Sequence, residues 1–188
     1  MIKYDHFMEI LPSIQNICKE AGSLQKKYHK TNIHVSTKSN RTPVTKIDLD
    51  SNNIILKSLS ELTPDIPIIS EEEYDNKKKY DVFWIVDPLD GTRDYLDNGN
   101  NFCICISLID KKFPILGVIY SPITEYFYYA YKNYGAYLMK GNSDAVKIMT
   151  KKMSLSDSNN VYTSKSINKN ILKEISDNVH NALFIPLA

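Results

Sequence analysis

The sequence predicts an α+β fold in layers, with helices laid against a mostly antiparallel sheet, and three observations carry that expectation. Two long stretches with helical apolar spacing come first, and a succession of short β-branched and aromatic runs follows, joined by tight turns. The third observation is size: 188 residues with 43% hydrophobic content bury about two thirds of the unfolded surface, enough for one sizeable core.

The first helix is expected over residues 5–28, where Phe7, Ile10, Leu11, Ile14, Ile17, Cys18, Ala21 and Leu24 keep helical spacing and Pro12 lies early enough to be tolerated with a bend. Residues 31–42 are polar and read as a short extended segment and loop. Leu49, Ile54, Ile55, Leu59 and Leu62 mark a second helix that ends before Pro64. A brief buried strand over 66–69 runs into Glu71-Glu72-Glu73, and the lysine-rich stretch 76–79 is expected to be a solvated loop.

The run Phe83 to Val86 reads as a buried strand that stops on Asp87, with one helical turn expected over 92–98. Strands over 102–109 and 115–120 form a hairpin through Asp110-Lys111-Lys112, and 125–131 turns at Asn133-Tyr134-Gly135 into 136–139. The tyrosines at 126, 128, 129, 131 and 134 are read as strand packing and not as a ligand box. A strand over 160–164, a helix over 167–179 and an apolar run over 182–187 close the chain. A domain boundary near residue 150 is expected, with an N-terminal α+β domain over 1–150 and an incomplete C-terminal α/β domain over 151–188.

Composition narrows the function classes. A net charge of +1, without a basic run interleaved with aromatics, calls for no nucleic-acid polymer and no acidic membrane surface. The N-terminus carries Lys3, Asp5, His6 and Glu9 where a signal peptide needs an unbroken apolar core, and no run is long enough to span a membrane, so a cytoplasmic location is expected. Three cysteines lack metal-binding spacing; Cys103 and Cys105 share a strand face and are read as small core residues.

The chemistry is concentrated in F-W-I-V-D-P-L-D-G-T, residues 83–92. Pro88 holds Asp87 extended and Gly91 permits a sharp reversal, so Asp87 and Asp90 sit on one rigid turn. Carboxylates within about 4 Å repel by a few kcal/mol at an effective dielectric near 20, so the pair calls for protons or a cation. Glu71 and Glu72 also follow a strand, and ends of neighbouring strands converge on one edge. Two or three carboxylates with the Leu89 carbonyl suit Mg2+ facing a phosphate, and the amides of Gly91 and Thr92 offer a phosphate cradle. In T-P-V-T-K-I-D, residues 42–48, Thr45 and Asp48 fit a helix capping box.

These three stretches, in this order, resemble the lithium-sensitive, magnesium-dependent phosphatases of the inositol monophosphatase family, and more closely the 3'(2'),5'-bisphosphate nucleotidases of the CysQ type. F-W-I-V-D-P-L-D-G-T-R-D-Y-L is similar to that family's W-L-V-D-P-L-D-G-T-K-E-F-I, and the likeness continues through N-F-C-I-C-I-S-L-I-D and P-I-L-G-V-I-Y-S-P-I-T to about residue 142. The resemblance implies a layered α-β-α-β sandwich of the sugar-phosphatase type. It also implies Glu71, Asp87, the Leu89 carbonyl and Asp90 as Mg2+ ligands, with Glu71, Leu89, Asp90, Gly91 and Thr92 meeting the substrate. Asp48 and Thr92 are implied as the pair that activates water. The implied substrate is a small phosphorylated nucleotide, adenosine 3',5'-bisphosphate or 3'-phosphoadenylyl sulfate. Inositol monophosphatase activity, a noncatalytic metal-binding fragment and an Asp-x-x-Asp nucleotide-sugar transferase stand as alternatives.

Three departures matter. Asn40-Arg41-Thr42-Pro43-Val44-Thr45 stands where related nucleotidases carry D-x-S-P-V-T, and Ser164-Lys165-Ser166-Ile167 stands where they carry S-R-S-H. The family's W-D-x-A-A-G stretch, with a further metal-binding aspartate, does not occur in these 188 residues. The expectation is therefore a truncated second domain, impaired turnover and self-association through an uncovered apolar edge.

Overall fold

A computed structural model describes residues 6–32, 35–37, 43–73, 79–150, 159–164, 167–178 and 182–187. The chain forms two compact units, Met1–Ile148 and Met149–Ala188. The first is a seven-stranded sheet with two long helices against one face, which is the layered α+β arrangement the apolar patterning predicts.

Helix α1 (His6–Tyr28) runs through Pro12, and α2 (Lys46–Leu62) ends at Thr63, whose amide returns to the Leu59 carbonyl just before Pro64. A small hairpin, β1 (Val35–Thr37) with β2 (Pro43–Thr45), leads into α2. The main sheet then follows chain order: β3 (Ile68–Ser70), β4 (Val82–Asp90), β5 (Cys103–Asp110), β6 (Phe113–Ser121), β7 (Tyr126–Tyr131), β8 (Gly135–Lys140) and β9 (Val146–Ile148). Only β3 and β4 pair in parallel; the remaining neighbours form an antiparallel meander. Helix α3 (Thr92–Leu96) is the single turn between β4 and β5.

Alternation along the strands divides the sheet into two faces. Trp84 and Val86, Ile104, Ile106 and Leu108, and Phe127, Tyr129 and Tyr131 are buried with Ile14, Cys18 and Ala21 of α1 and Ile55 and Leu59 of α2. A second, smaller cluster of Ile47, Leu89, Tyr95 and Phe102 fixes α3 and the β4 end against the start of α2. The opposite face carries Ile69, Ile85, Asp87, Cys105, Ser107, Gly117, Ile119, Tyr128 and Ala130 around a concavity of about 1200 Å3. Among the described residues of the Met1–Ile148 unit, no helix packs that face.

Several sequence expectations shift. Leu49 is 46% exposed, and the buried stripe of α2 passes through Ile47, Asp48, Ser51 and Asn52 before reaching Ile55 and Leu59. Cys103 and Cys105 do share a strand face, but it is the open one, and both are half-buried. Strand β4 does not stop at Asp87; it continues to Asp90 through a bulge. Strand β9 carried no legible signal. Of the lysine-rich stretch, 76–78 lie outside the described residues, as do 40–42.

In the Met149–Ala188 unit, β10 (Asn159–Ser164) and β11 (Ala182–Leu187) pair in parallel, with α4 (Lys169–Asn178) between them. A parallel pair needs such a crossover connection, so this is one β-α-β turn of chain. Among the described residues, no helix is long and apolar enough to cross a membrane.

Candidate active site

The site begins with the bulge in β4. Asp87 lies opposite Cys105 and Asp90 opposite Cys103, so three steps along β4 meet two along β5. In a regular strand, residues three apart point to opposite faces; the extra residue restores the phase and puts both aspartates on the open face. Pro88 sits at the irregularity, where its missing N–H breaks no ladder bond, and its carbonyl accepts from Gln25 Nε2 at 2.7 Å. The Leu89 amide donates to Asp87 Oδ1 at 3.1 Å, which fixes that carboxylate over its own turn.

Parallel pairing brings the third carboxylate. Ser70 is level with Val86, so the next residue, Glu71, comes level with Asp87. Glu71, Glu72 and Glu73 form a 3-10 turn anchored to α2: Ser70 Oγ donates to Asn52 Oδ1 at 2.5 Å, Asn52 Nδ2 donates to Glu73 Oε1 at 3.0 Å, and the Glu72 amide donates to Ser70 Oγ. Glu73 is thus a support, while Glu71 and Glu72 line the concavity beside Asp87.

Electrostatics report the crowding. The Asp87 carboxyl is pushed up to about 7, first by burial, then by the charges of Glu71 and Asp90, with the contact to Glu71 adding to the rise. A proton at this carboxyl near neutral pH is what repelling carboxylates adopt when no cation is present. Asp90 is exposed, and its Oδ2 accepts from the Cys103 thiol at 3.7 Å. Among the described residues, the ligating groups that close within 4.8 Å of one another are Asp90, Cys103 and Cys105; Glu71 and Asp87 stand beside that set.

On the other side of the turn, Asp48 serves two partners with its two oxygens. Oδ2 accepts the Thr45 amide at 2.8 Å and the Thr45 hydroxyl at 2.5 Å, closing the capping box of α2. Oδ1 accepts the Thr92 hydroxyl at 3.1 Å, and that hydroxyl also lies 3.0 Å from the Leu89 carbonyl. The capping reading and the Thr92 reading of Asp48 therefore hold together. Asp48 is buried, and its oxygens are satisfied by these donors.

Gly91 links the two halves. Its φ is +88°, and a Cβ there would meet the Asn101 carbonyl at 2.6 Å, so only glycine fits between β4 and the loop after α3. That loop is tied down by Asp94, whose Oδ2 accepts the Asn101 amide at 2.7 Å. Tyr95 packs edge-on against Phe102, and its hydroxyl donates to the Gln25 carbonyl at 2.8 Å.

With the carboxylates, the bulge and the Asp48–Thr92 pair in place, comparison with known proteins is informative. A model of the inositol monophosphatase family matches residues 8–185. The chain belongs to that family. It is 41% identical over 128 residues to the 3'(2'),5'-bisphosphate nucleotidase CysQ of Buchnera aphidicola, covering 65% of this chain and 48% of that protein. It is 32% identical over 146 residues to CysQ of Haemophilus influenzae, covering 76% of this chain and 54% of the other. The chain thus spans about half the length of the curated relatives it matches.

The fold is shared with solved structures of the inositol monophosphatase family. The IMPase of Thermotoga maritima superposes with a TM-score of 0.77 at 21% identity, over 94% of this chain and 68% of that one. CysQ of Bacteroides thetaiotaomicron gives 0.72 at 23% identity, over 90% and 69%.

Sequence reasoning singled out Asp48, Glu71, Asp87, Leu89, Asp90, Gly91 and Thr92, and all border the β4 turn. It missed Gln25, Ser51, Asn52 and Ser70, which are buried and support it. Their signal was present. Gln25 lies four residues after Ala21 on the buried face of α1, and Ser51 and Asn52 continue the Ile55–Leu59 stripe of α2. A polar residue on an apolar stripe marks a buried bond to something.

Proposed function

We propose that this chain carries the metal-binding half of a Mg2+-dependent phosphomonoesterase acting on a nucleotide 3'(2'),5'-bisphosphate. The observation that carries the reading is the convergence of Glu71, Asp87 and Asp90 at one edge of the sheet, where burial first and then the charges of Glu71 and Asp90 push the Asp87 carboxyl up to about 7. Hard oxygen donors fit a hard divalent cation, and a carboxylate cluster that binds protons in its absence is chemically suited to one. Glu71, Asp87, Asp90 and the Leu89 carbonyl would hold Mg2+. It would supply Lewis-acid activation of water and neutralise phosphate charge.

The chain's own residues do the rest. Asp48 holds the Thr92 hydroxyl by Oδ1 while its other oxygen is locked in the helix cap, so Thr92 is oriented by a carboxylate that cannot rotate away. A threonine so placed can take a proton from a water while its own hydroxyl proton moves to the buried, pre-oriented Asp48 carboxylate. Gly91 brings the first amides of α3 to the same turn, where a phosphate oxygen is the natural acceptor.

Support for a bisphosphate nucleotide over inositol phosphate comes from the CysQ relatives. Residues 1–150 are read as the metal-binding domain and 151–188 as the start of a second α/β domain, a division the two compact units favour. The test is a side-by-side assay of phosphate release from adenosine 3',5'-bisphosphate and myo-inositol phosphate, with Mg2+ and with chelator. Mg2+-dependent release that prefers the bisphosphate is expected, and Asp90→Asn should abolish it. Metal-independent release, or undiminished release by Asp90→Asn, would overturn the reading.

A further inference from the structure

Cys103, Cys105 and Asp90 form a second ligand set whose geometry differs from the all-oxygen set beside it. Residues 103 and 105 project from the same face of β5, and Asp90 is directly opposite Cys103 on β4. Their sulfurs are 3.7 Å apart, Cys103 Sγ is 3.7 Å from Asp90 Oδ2, and all three ligand atoms lie within 4.8 Å of one another. A tetrahedral zinc with bonds of about 2.3 Å to sulfur and about 2.1 Å to oxygen has S···S edges of about 3.75 Å and S···O edges of about 3.6 Å. The Sγ···Sγ and Sγ···Oδ2 distances match these edges within about 0.1 Å.

A disulfide fits less well. Cysteines two apart on one strand have Cα atoms about 6.6–6.8 Å apart, the limit of what a bridge spans, and their Cβ vectors run parallel instead of converging. Both thiols are half-buried and Asp90 is exposed, so the set is open to a cation from solvent.

We propose that Asp90, Cys103 and Cys105 form a site for one thiophilic divalent cation, Zn2+ in the first instance, with solvent at the fourth corner. Binding forms two metal–sulfur bonds and one metal–oxygen bond, and the two thiol protons leave to solvent. A further consequence rests on the proposed Mg2+ reading: because Asp90 belongs to both sets, a bound Zn2+ withdraws a carboxylate from the hard-cation site. Zn2+ then antagonises Mg2+, and the cysteine pair makes this chain sensitive to soft metals.

The experiment uses the reduced 188-residue chain and Cd2+ as the probe. One equivalent should produce a sulfur-to-metal charge-transfer absorbance in the ultraviolet. Cys103→Ser and Cys105→Ser should each weaken Cd2+ affinity by at least the roughly tenfold that loss of even an outer partner costs. Asp90→Asn should weaken binding while keeping the absorbance. On the unsubstituted chain, Zn2+ should slow alkylation of Cys103 and Cys105, mapped by mass spectrometry, with fully buried Cys18 as internal reference. Absorbance that persists in the double serine variant, or alkylation at 103 and 105 that Zn2+ leaves unchanged, overturns the site. If the absorbance appears while Mg2+ gives no stabilisation, the hard-cation reading falls and the thiol site stands. If both appear but Zn2+ does not weaken Mg2+ stabilisation, the shared role of Asp90 is refuted.

Discussion

The two faces of the main sheet are built from the same strands yet do opposite work. On the closed face, Trp84, Val86, Ile104, Ile106 and Leu108 are nearly inaccessible beneath α1 and α2. On the open face their immediate neighbours, Ile85, Asp87, Cys103, Cys105 and Ser107, are partly or fully exposed around a wide concavity. Strand alternation alone would give each face a uniform character; the bulge between Asp87 and Asp90 breaks it and loads one edge of the open face with charge. Apolar burial is concentrated on one side and the titratable side chains on the other.

The largest effect should come from breaking the closed face. Trp84 is fully buried, and its Nε1 donates to Thr63 Oγ1 at 2.9 Å, so Trp84→Ala removes a large side chain together with that hydrogen bond. A loss of about 3–5 kcal/mol is expected in denaturant titration. Ile85→Ala, one residue away but 45% exposed on the other face, should cost well under about 1 kcal/mol. Equal losses at the two positions would contradict the division of the sheet.

Gly91→Ala attacks the joint between β4 and α3. The positive φ and the 2.6 Å approach to the Asn101 carbonyl should together cost about 1–3 kcal/mol in thermal or denaturant melts, and Thr92 should lose its alignment with Asp48. Asp48→Asn is a smaller change with a similar target. Asparagine keeps only part of the capping box, so a loss of about 1 kcal/mol is expected, together with loss of any Mg2+-dependent phosphate release.

The open face should also reveal itself through pH. The Asp87 carboxyl is raised to about 7 in the folded chain, above the ordinary carboxylate value of about 3.9 it takes when unfolded. The folded state therefore binds the proton more tightly between those values, and its contribution to stability is full below about pH 4 and lost as pH rises through about 7. Without divalent cation, the melting temperature should fall over that window, and Asp87→Asn should flatten the slope. Mg2+ at pH 8 should restore stability by an amount that grows with the logarithm of its concentration above the dissociation constant. A melting temperature indifferent to both pH and Mg2+ would count against a formed cation site.

Local signals determined a great deal. Helical apolar spacing located α1 and α2, turn residues located the β5–β6 and β7–β8 hairpins, and D-P-L-D-G-T marked the acidic turn at the end of β4, because each depends on a period or a backbone preference that adjacent residues carry. Tertiary structure decided the rest. Which oxygen of Asp48 meets which threonine depends on where β4 ends relative to α2, 44 residues away in sequence from Asp48 to Thr92. Whether Leu49 or Asp48 turns inward was settled by what α2 packs against, since both lie on plausible helical stripes. Most of all, whether Asp90 shares a face with Asp87 and Cys103 was set by one extra residue in a strand pairing. Register belongs to two strands at once, and a single strand's sequence does not record it.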